Sequence, residues 1–177
     1  NGINYHEEKV QQFILKNKEH LSIGITIDGT EMKHDLNRVY KASGRGSYKD
    51  VVRNIPLWLS QFPDASTKVT ISSADIPYIK ESVLHLYALG IHEVNINCVF
   101  EDVWKAGDDR LFEEQLLMLA DAIIDNGYYR DYSCSFFGEH LGKPLDCKLQ
   151  NQNWCGAGMM LAVDAMGNFY PCTRFAQ

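Results

Sequence analysis

The chain has 177 residues, a formal net charge of −6 at pH 7 and 45% hydrophobic residues, so it can bury a core of ordinary size. This composition excludes an intrinsically disordered chain, and its acidic balance excludes the basic surface on which nucleic-acid binding depends. No apolar run approaches the ~20 residues that span a membrane, and no signal peptide is visible, so we expect a cytoplasmic protein without a membrane partner.

The first predicted elements are a helix, a strand and a loop. Asn4 and Glu7 form a capping-box pattern that predicts a helix after them. The β-branched apolar run at 21–27 predicts a buried strand. The polar, turn-rich stretch at 30–47 predicts a loop.

The next helix is predicted over 48–62, where Ser47 is a candidate N-cap. Pro56 lies inside this helix, so we expect either a kink or two separate pieces. Asp75 is a candidate cap for the helix that follows the second strand. The remaining strands are predicted at 68–72 and 92–99, and the remaining helices at 76–89 and 108–126.

Alternating helices and short apolar strands predict right-handed βαβ units, a parallel sheet and therefore an α/β fold. Three strands amount to about half of a barrel or of a doubly wound sheet. After residue 127 the sequence becomes aromatic and turn-rich, and 161–170 predicts a β-hairpin with Gly167 in its turn. We therefore expect two regions, 1–127 and 128–177.

Candidate ligand-binding residues follow the first predicted strand. Thr26 and Asp28 are two positions apart, so both side chains share one face at the carboxyl end of a strand, where parallel sheets bind ligands. Their hydroxyl and carboxylate suit a ribose or an amino-acid head group; alternatively, Asp28 caps a turn and Thr26 only favours the strand. Arg38 is either a bidentate clamp for a carboxylate or a solvated loop residue.

The cysteines divide into two groups. Cys147, Cys155 and Cys172 cluster near the end, and the predicted hairpin brings the last two together. Three converging thiolates suit an iron–sulfur cluster, zinc or a disulfide. A [4Fe–4S] cluster normally takes four thiolates, so a fourth would come from Cys134 or from outside this chain. Cys98 and Cys134 lie in strand-like stretches, where packing in the core is the better interpretation.

Several segments resemble one enzyme family. An opening Asn-Gly followed by a helix, then ITIDGT, HDLNR and GRGSYKDVVRNI, resemble the second half of a radical SAM (S-adenosylmethionine) barrel. The closing CGAG and AVDAMGNFYPCTRF resemble the start of SPASM, the cluster-binding extension that follows such barrels, in which two cysteines bracket a glycine. The resemblance implies a partial (β/α)6 barrel over 1–127, and over 128–177 the last barrel strand and the beginning of the extension.

The resemblance also implies roles for individual residues. Thr26 stands in place of a serine that approaches SAM, and Asp28 matches the family. Arg38 or Arg53 would hold the SAM carboxylate, and the backbone of Val99 would lie near the adenine. In the extension, the implied ligands of an auxiliary [4Fe–4S] cluster are Cys147, Cys155 and Cys172.

The implied activity is that of an oxidoreductase that matures a peptide or protein. Members of the family modify sulfatases or ribosomal peptides by hydrogen abstraction with a 5′-deoxyadenosyl radical. SAM and [4Fe–4S] clusters are the implied cofactors, and a reductant such as ferredoxin or flavodoxin is an implied partner. Thr173 stands where sulfatase maturases have a catalytic aspartate, which favours another kind of peptide maturase.

The sequence lacks the Cys-x3-Cys-x2-Cys motif and the Gly-Gly-Glu segment of the family. We therefore expect a middle portion of a longer enzyme, inactive alone, with exposed apolar sheet edges that promote self-association. Two alternatives remain. One is a non-catalytic α/β ligand-binding or interaction module with structural zinc or no metal, and the other is a radical SAM enzyme for haem or cofactor maturation.

Overall fold

A parallel sheet organises the first of two structural units. The computed structural model describes residues 1–138, 144 and 160–175. The chain divides into the units Asn1–Leu141 and Gly142–Gln177. Helices alternate with parallel strands in the first unit, which confirms the predicted α/β class. Its three-stranded sheet has the order β1-β2-β3, with β1 at Thr67–Ile71, β2 at Glu93–Cys98 and β3 at Ser133–Cys134.

The described helices agree with the sequence pattern at most positions. The α-helices are α1 (Glu8–Asn17), α2 (Glu31–Asn37), α3 (Tyr48–Val52), α4 (Ile55–Gln61), α5 (Ile79–Ala88) and α6 (Asp108–Asp125). Short 3-10 helices occur at Lys18–His20, Ser73–Tyr78, Tyr128–Arg130, Ser135–Phe137 and Thr173–Phe175. None of the helices in the described part of the chain has both the length and the apolar character to cross a bilayer.

The segment predicted as the first strand forms only one parallel bridge to the sheet, between Thr26 and Lys68. The buried hydroxyl of Thr67 adds to this bridge, because it accepts a hydrogen bond from the Ile27 N–H (3.2 Å) and donates one to the Ile25 carbonyl (2.7 Å). Ile25 and Ile27 are nevertheless buried, as the apolar pattern requires.

The stretch predicted as a loop contains α2, so that prediction is wrong. The helix begins after Thr30, whose hydroxyl accepts a hydrogen bond from the Lys33 N–H at 3.4 Å. The helix 48–62 is instead two helices, α3 and α4, as Pro56 allowed. Pro56 lies in the first turn of α4, where its missing N–H costs no hydrogen bond.

The predicted helix starts differ from the structure at two places. α1 is preceded by Glu7, not Asn4, and no side-chain cap forms there. Asp75 is not the N-cap that was predicted: the N-cap is Ser72, and Asp75 is the third residue of the helix and the second partner of the capping box. The Ser72 N–H donates to Asp75 Oδ2 at 2.8 Å, so the turn after β1 is fixed by a local carboxylate.

The core of the first unit packs the helices against the sheet. Trp58 of α4 is fully buried, and its indole N–H donates to the Ile23 carbonyl at 2.7 Å. Cys134 is 6% exposed, and burial raises the pKa of its thiol to about 11, which agrees with the predicted role in packing. Cys98 is partly buried at the end of β2. Further core residues include Val69, Ile71, Val83, Leu86, Val94 and Leu119.

The described part of the second unit contains the predicted hairpin. Strands β4 (Ala162–Val163) and β5 (Phe169–Tyr170) are antiparallel, and Gly167 lies between them. The carboxylate of Asp164 organises the turn: it accepts hydrogen bonds from the side chain and N–H of Asn168, the Tyr170 hydroxyl and the Met166 N–H, all at 2.8–2.9 Å. These bonds lower the pKa of Asp164 to about 2.

Candidate functional site

A group of buried charged and polar side chains lies at the carboxyl end of β1. Asp28, Lys33, His34 and Asp75 are each at most 2% exposed, and Arg38 contacts Asp28. Charged side chains are rarely buried unless they are paired. We refer to these five residues as the buried polar cluster. The carboxyl edge of a parallel sheet is also where such folds bind ligands, so the cluster marks the candidate site.

Asp28 and Arg38 form the ion pair of the cluster. The Arg38 guanidinium donates through Nε to Asp28 Oδ2 and through Nη2 to Asp28 Oδ1, the latter at 3.3 Å. Asp28 Oδ1 also accepts the Thr70 N–H at 2.9 Å, which ties the pair to β1. The side chain of Arg38 remains 31% exposed, against 3% for Asp28. The predicted carboxylate clamp therefore already holds a carboxylate of its own chain.

Lys33 crosses from α2 to the end of β1. Its Nζ donates to the Thr70 carbonyl at 2.6 Å and lies 3.5 Å from Asp75 Oδ1. Burial lowers the pKa of Lys33, while the charges of Asp28 and Asp75 oppose that shift. Asp75 also accepts a hydrogen bond from the side-chain amide of Asn37 at 3.3 Å. The cation and its carboxylate thus lock α2 to the turn that follows β1.

The hydrogen bonds of His34 fix its tautomer. The Asp28 N–H donates to His34 Nδ1 at 3.1 Å, so that nitrogen is unprotonated and Nε2 carries the hydrogen. Nε2 lies 3.1 Å from the Ser47 hydroxyl, which itself donates to the Arg38 carbonyl at 2.8 Å. Burial lowers the pKa of His34, with the charge of Asp28 acting in the opposite direction. The imidazole is therefore neutral at pH 7.

The lowered pKa of His34 predicts that the folded chain loses stability in acid. The folded pKa of His34 lies below its usual 6.5, so the unfolded chain takes up the proton first as the pH falls. The contribution of His34 is complete above about pH 6.5 and is lost as the pH falls toward the folded pKa, by at most about 1.4 kcal/mol per pH unit. Urea unfolding at pH 7.0, 6.0 and 5.0 should show a smaller pH slope for His34→Asn than for wild type.

The exposed His20 provides the control for that series, because it lies outside the buried polar cluster. His20→Asn should keep the wild-type slope. Equal slopes for His34→Asn and the wild type would contradict a lowered pKa of His34 in the folded chain.

A cavity of about 190 Å³ opens beside the buried polar cluster. Thr26 and Arg38, both predicted to contact SAM, line it together with His34, Asn37, Tyr40 and Ser47. The volume lies below the ~300–1,000 Å³ of pockets that hold whole drug-sized ligands. It fits a group of amino-acid size, and its hydroxyl and guanidinium donors suit a carboxylate.

The other predicted ligand-binding residues lie elsewhere in the first unit. Val99 lies at the same carboxyl edge as Asp28 but on the opposite side of β1, where its N–H donates to the Ile71 carbonyl at 3.0 Å. The Val99 carbonyl accepts the indole N–H of Trp104 at 3.2 Å. Arg53 caps α3 and lies 3.7 Å from Asp50, so Arg38 is the arginine that reaches the cavity.

Sequence reasoning missed Lys33, His34 and Asp75 as members of the cluster. The signal for the first two was Thr30, an N-cap residue whose helix would turn them toward the sheet. The stretch 30–47 was predicted as a loop because it is polar and turn-rich, so Thr30 was not considered as an N-cap. The bond between Asp75 and Lys33 had no local signal, because these residues belong to separate elements.

The predicted metal ligands fall mainly outside the described residues. Cys147 and Cys155 lie there, and their proposed role stays a prediction. Cys172 is described, is partly buried and forms no disulfide with either of the other described cysteines, Cys98 and Cys134. Within residues 1–138, 144 and 160–175, no group of three or more His, Cys, Asp or Glu side chains is arranged to hold a metal ion.

No protein-family model and no curated protein matches the chain. Three features of the chain bear on its function: the buried polar cluster, the cavity beside it and the hairpin that precedes Cys172.

Proposed function

We propose that this chain is part of a cytoplasmic radical SAM enzyme that modifies a peptide or protein. In this proposal, 1–127 belong to a partial (β/α)6 barrel, and 128–177 contain its last strand and the start of a SPASM extension. One observation carries the proposal: Thr26 and Arg38, the residues that the resemblance assigns to SAM, line one cavity at the carboxyl edge of a parallel sheet.

The residues of the cavity would bind the amino-acid end of SAM. The Thr26 hydroxyl and the guanidinium of Arg38 are donors for its carboxylate, and Asp28 fixes the guanidinium plane through two hydrogen bonds. His34 is held neutral and adds no charge to the cavity. The nucleoside would extend out of the cavity toward Val99, whose N–H donates to the Ile71 carbonyl at the same carboxyl edge.

SAM and a reduced iron–sulfur cluster would together supply the radical chemistry, with electrons from ferredoxin or flavodoxin. The chain's own contribution is position: the buried polar cluster fixes α2 on the sheet, so the carboxylate-binding donors are preorganised. The ligands of an auxiliary [4Fe–4S] cluster would be Cys147, Cys155 and Cys172. The hairpin supports this assignment, since Gly167 lies in its turn and Cys172 follows that glycine with the four-residue spacing of the family pattern.

One observation favours the alternative of a non-catalytic ligand-binding or interaction module. Asp28 already occupies two donor groups of Arg38, so the pair also serves as a purely structural lock. Such a module would contain zinc or no metal, so the two proposals differ in the metal they contain.

The test uses the longer protein that contains this chain, purified without oxygen. Cys172→Ala is expected to lower its iron content by about four atoms per chain, because a [4Fe–4S] cluster with a missing thiolate is lost. Phe169→Ala is the matched control: this side chain lies in the same hairpin, is 69% exposed and has no thiol. Iron and acid-labile sulfide are measured on both variants. Zinc in place of iron, or equal iron in both variants, would contradict the proposal.

A further inference from the structure

A second, larger cavity lies at the same carboxyl edge as the candidate site. Its volume is about 640 Å³, within the ~300–1,000 Å³ range of ligand pockets. Cys98, the last residue of β2, forms part of its wall, and the loop before α6 and the start of that helix form the rest. Cys98 pairs in register with Ile71, the last residue of β1, so the cavity and the buried polar cluster lie on opposite sides of one strand end.

The lining of this cavity is apolar with an acidic rim. Trp104, Ala106 and Phe112 supply the apolar surface. Asp108, Asp109 and Lys105 line the rim. The Lys105 backbone N–H donates to Asp108 Oδ2 at 2.7 Å. The stretch 101–110, which contains most of the lining, carries four acidic and two basic residues. An apolar pocket in an acidic surface complements a bulky apolar group with positive charge beside it.

We propose that this cavity binds a phenylalanine-like side chain of a peptide in which lysine or arginine flanks that residue. The inference rests on the proposed function, since this peptide would be the substrate presented to the carboxyl edge. Trp104 is 37% exposed, so the occupant stays partly open to solvent, as a side chain on a longer peptide does. Burial of the apolar side chain of the peptide supplies affinity. The carboxylates of Asp108 and Asp109 attract the flanking cations and repel acidic peptides.

The test measures fluorescence anisotropy of a labelled Lys-Gly-Phe-Gly-Lys peptide with the 177-residue chain at low salt. Replacing the phenylalanine of the probe by serine should weaken binding at least tenfold, because burial of the ring is lost. Replacing both lysines of the probe by glutamate should abolish binding. Ala106→Trp fills the cavity and should also weaken binding at least tenfold. The matched control is Ala42→Trp, which adds the same exposed ring outside the cavity and should bind as wild type does.

A charge variant tests the acidic rim separately. Asp109→Asn should weaken binding about two- to fivefold, the size of one exposed ion pair. Asp121→Asn removes an exposed charge from the same helix away from the cavity and should leave binding unchanged. Circular dichroism melting of each variant establishes that it is folded before it is compared.

Three results would overturn the inference: equal binding of the serine and phenylalanine probes, unchanged binding by Ala106→Trp, or a wild-type dimer in sedimentation that Ala106→Trp dissolves. The last would assign the cavity to a second copy of the chain. The iron measurement on the longer protein is independent of this cavity. Iron without peptide binding would refute the inference alone, and peptide binding without iron would refute the proposed function and leave a peptide-binding surface.

Discussion

Asp75→Asn is expected to lower the free energy of unfolding by about 3 kcal/mol, because it leaves the buried Lys33 ammonium without its nearest carboxylate. Lys33 and Asp75 have side-chain exposures of only 1% and 2%, so water cannot replace the lost charge. Asparagine keeps the oxygen that accepts the Ser72 N–H, so the turn after β1 retains its cap. Urea unfolding at pH 7, analysed by linear extrapolation, measures the change.

The matched experiment removes the cation as well. Lys33→Met keeps an unbranched side chain that is one heavy atom shorter and carries no charge. Asp75→Asn with Lys33→Met should be more stable than Asp75→Asn alone, because the unpaired ammonium is gone. Asp64→Asn, an exposed aspartate in the loop before β1, should change stability by less than 0.5 kcal/mol, as surface substitutions generally do. A double variant no more stable than Asp75→Asn would show that the charge of Lys33 is not the cause.

Gly29→Ala is expected to destabilise the chain by about 3–4 kcal/mol, the sum of backbone strain and overpacking. Gly29 has a φ of +126°, where side chains are strained. A Cβ there would also collide with the side chain of the fully buried Ser82 and lie 2.8 Å from its Cα. Since the helix that carries Ser82 is packed into the core, neither side can yield. Thermal and urea unfolding measure the loss.

Gly44 separates the two causes. Its φ is +66°, but a Cβ there would meet nothing within 4 Å. Gly44→Ala should therefore cost only the strain, about 1 kcal/mol. If Gly29→Ala costs no more than Gly44→Ala, the close approach of Ser82 is not what requires glycine at position 29.

Elements with a strong local pattern were predictable from the sequence. The strands β1 and β2, the long helix α6 and the hairpin around Gly167 were each predicted within one or two residues at their ends. Their periodicity, turn residues and helix stops are all encoded within the elements themselves. Pro56 likewise predicted a kink or a division into two helices, because its effect on the backbone is local, and the structure has two helices.

The failures came from interactions between distant residues. Nothing around residues 21–27 indicates that the hydroxyl of Thr67 forms hydrogen bonds with the backbone of that segment. For the site, the two-residue spacing predicted that Thr26 and Asp28 lie together near the carboxyl edge of the sheet. It could not show that Arg38 pairs with Asp28, or that Lys33 is buried, because both depend on how α2 packs on the sheet.

The network of hydrogen bonds around Asp164 has a consequence for the order of folding events. The partners of its carboxylate lie at most six positions away along the chain. Such a hairpin closes in ~1–10 μs, whereas β1 and β2 must first bridge the residues of a whole crossover connection. When the whole chain refolds, the turn around Asp164 would therefore form before the parallel sheet is complete, next to the thiol of Cys172.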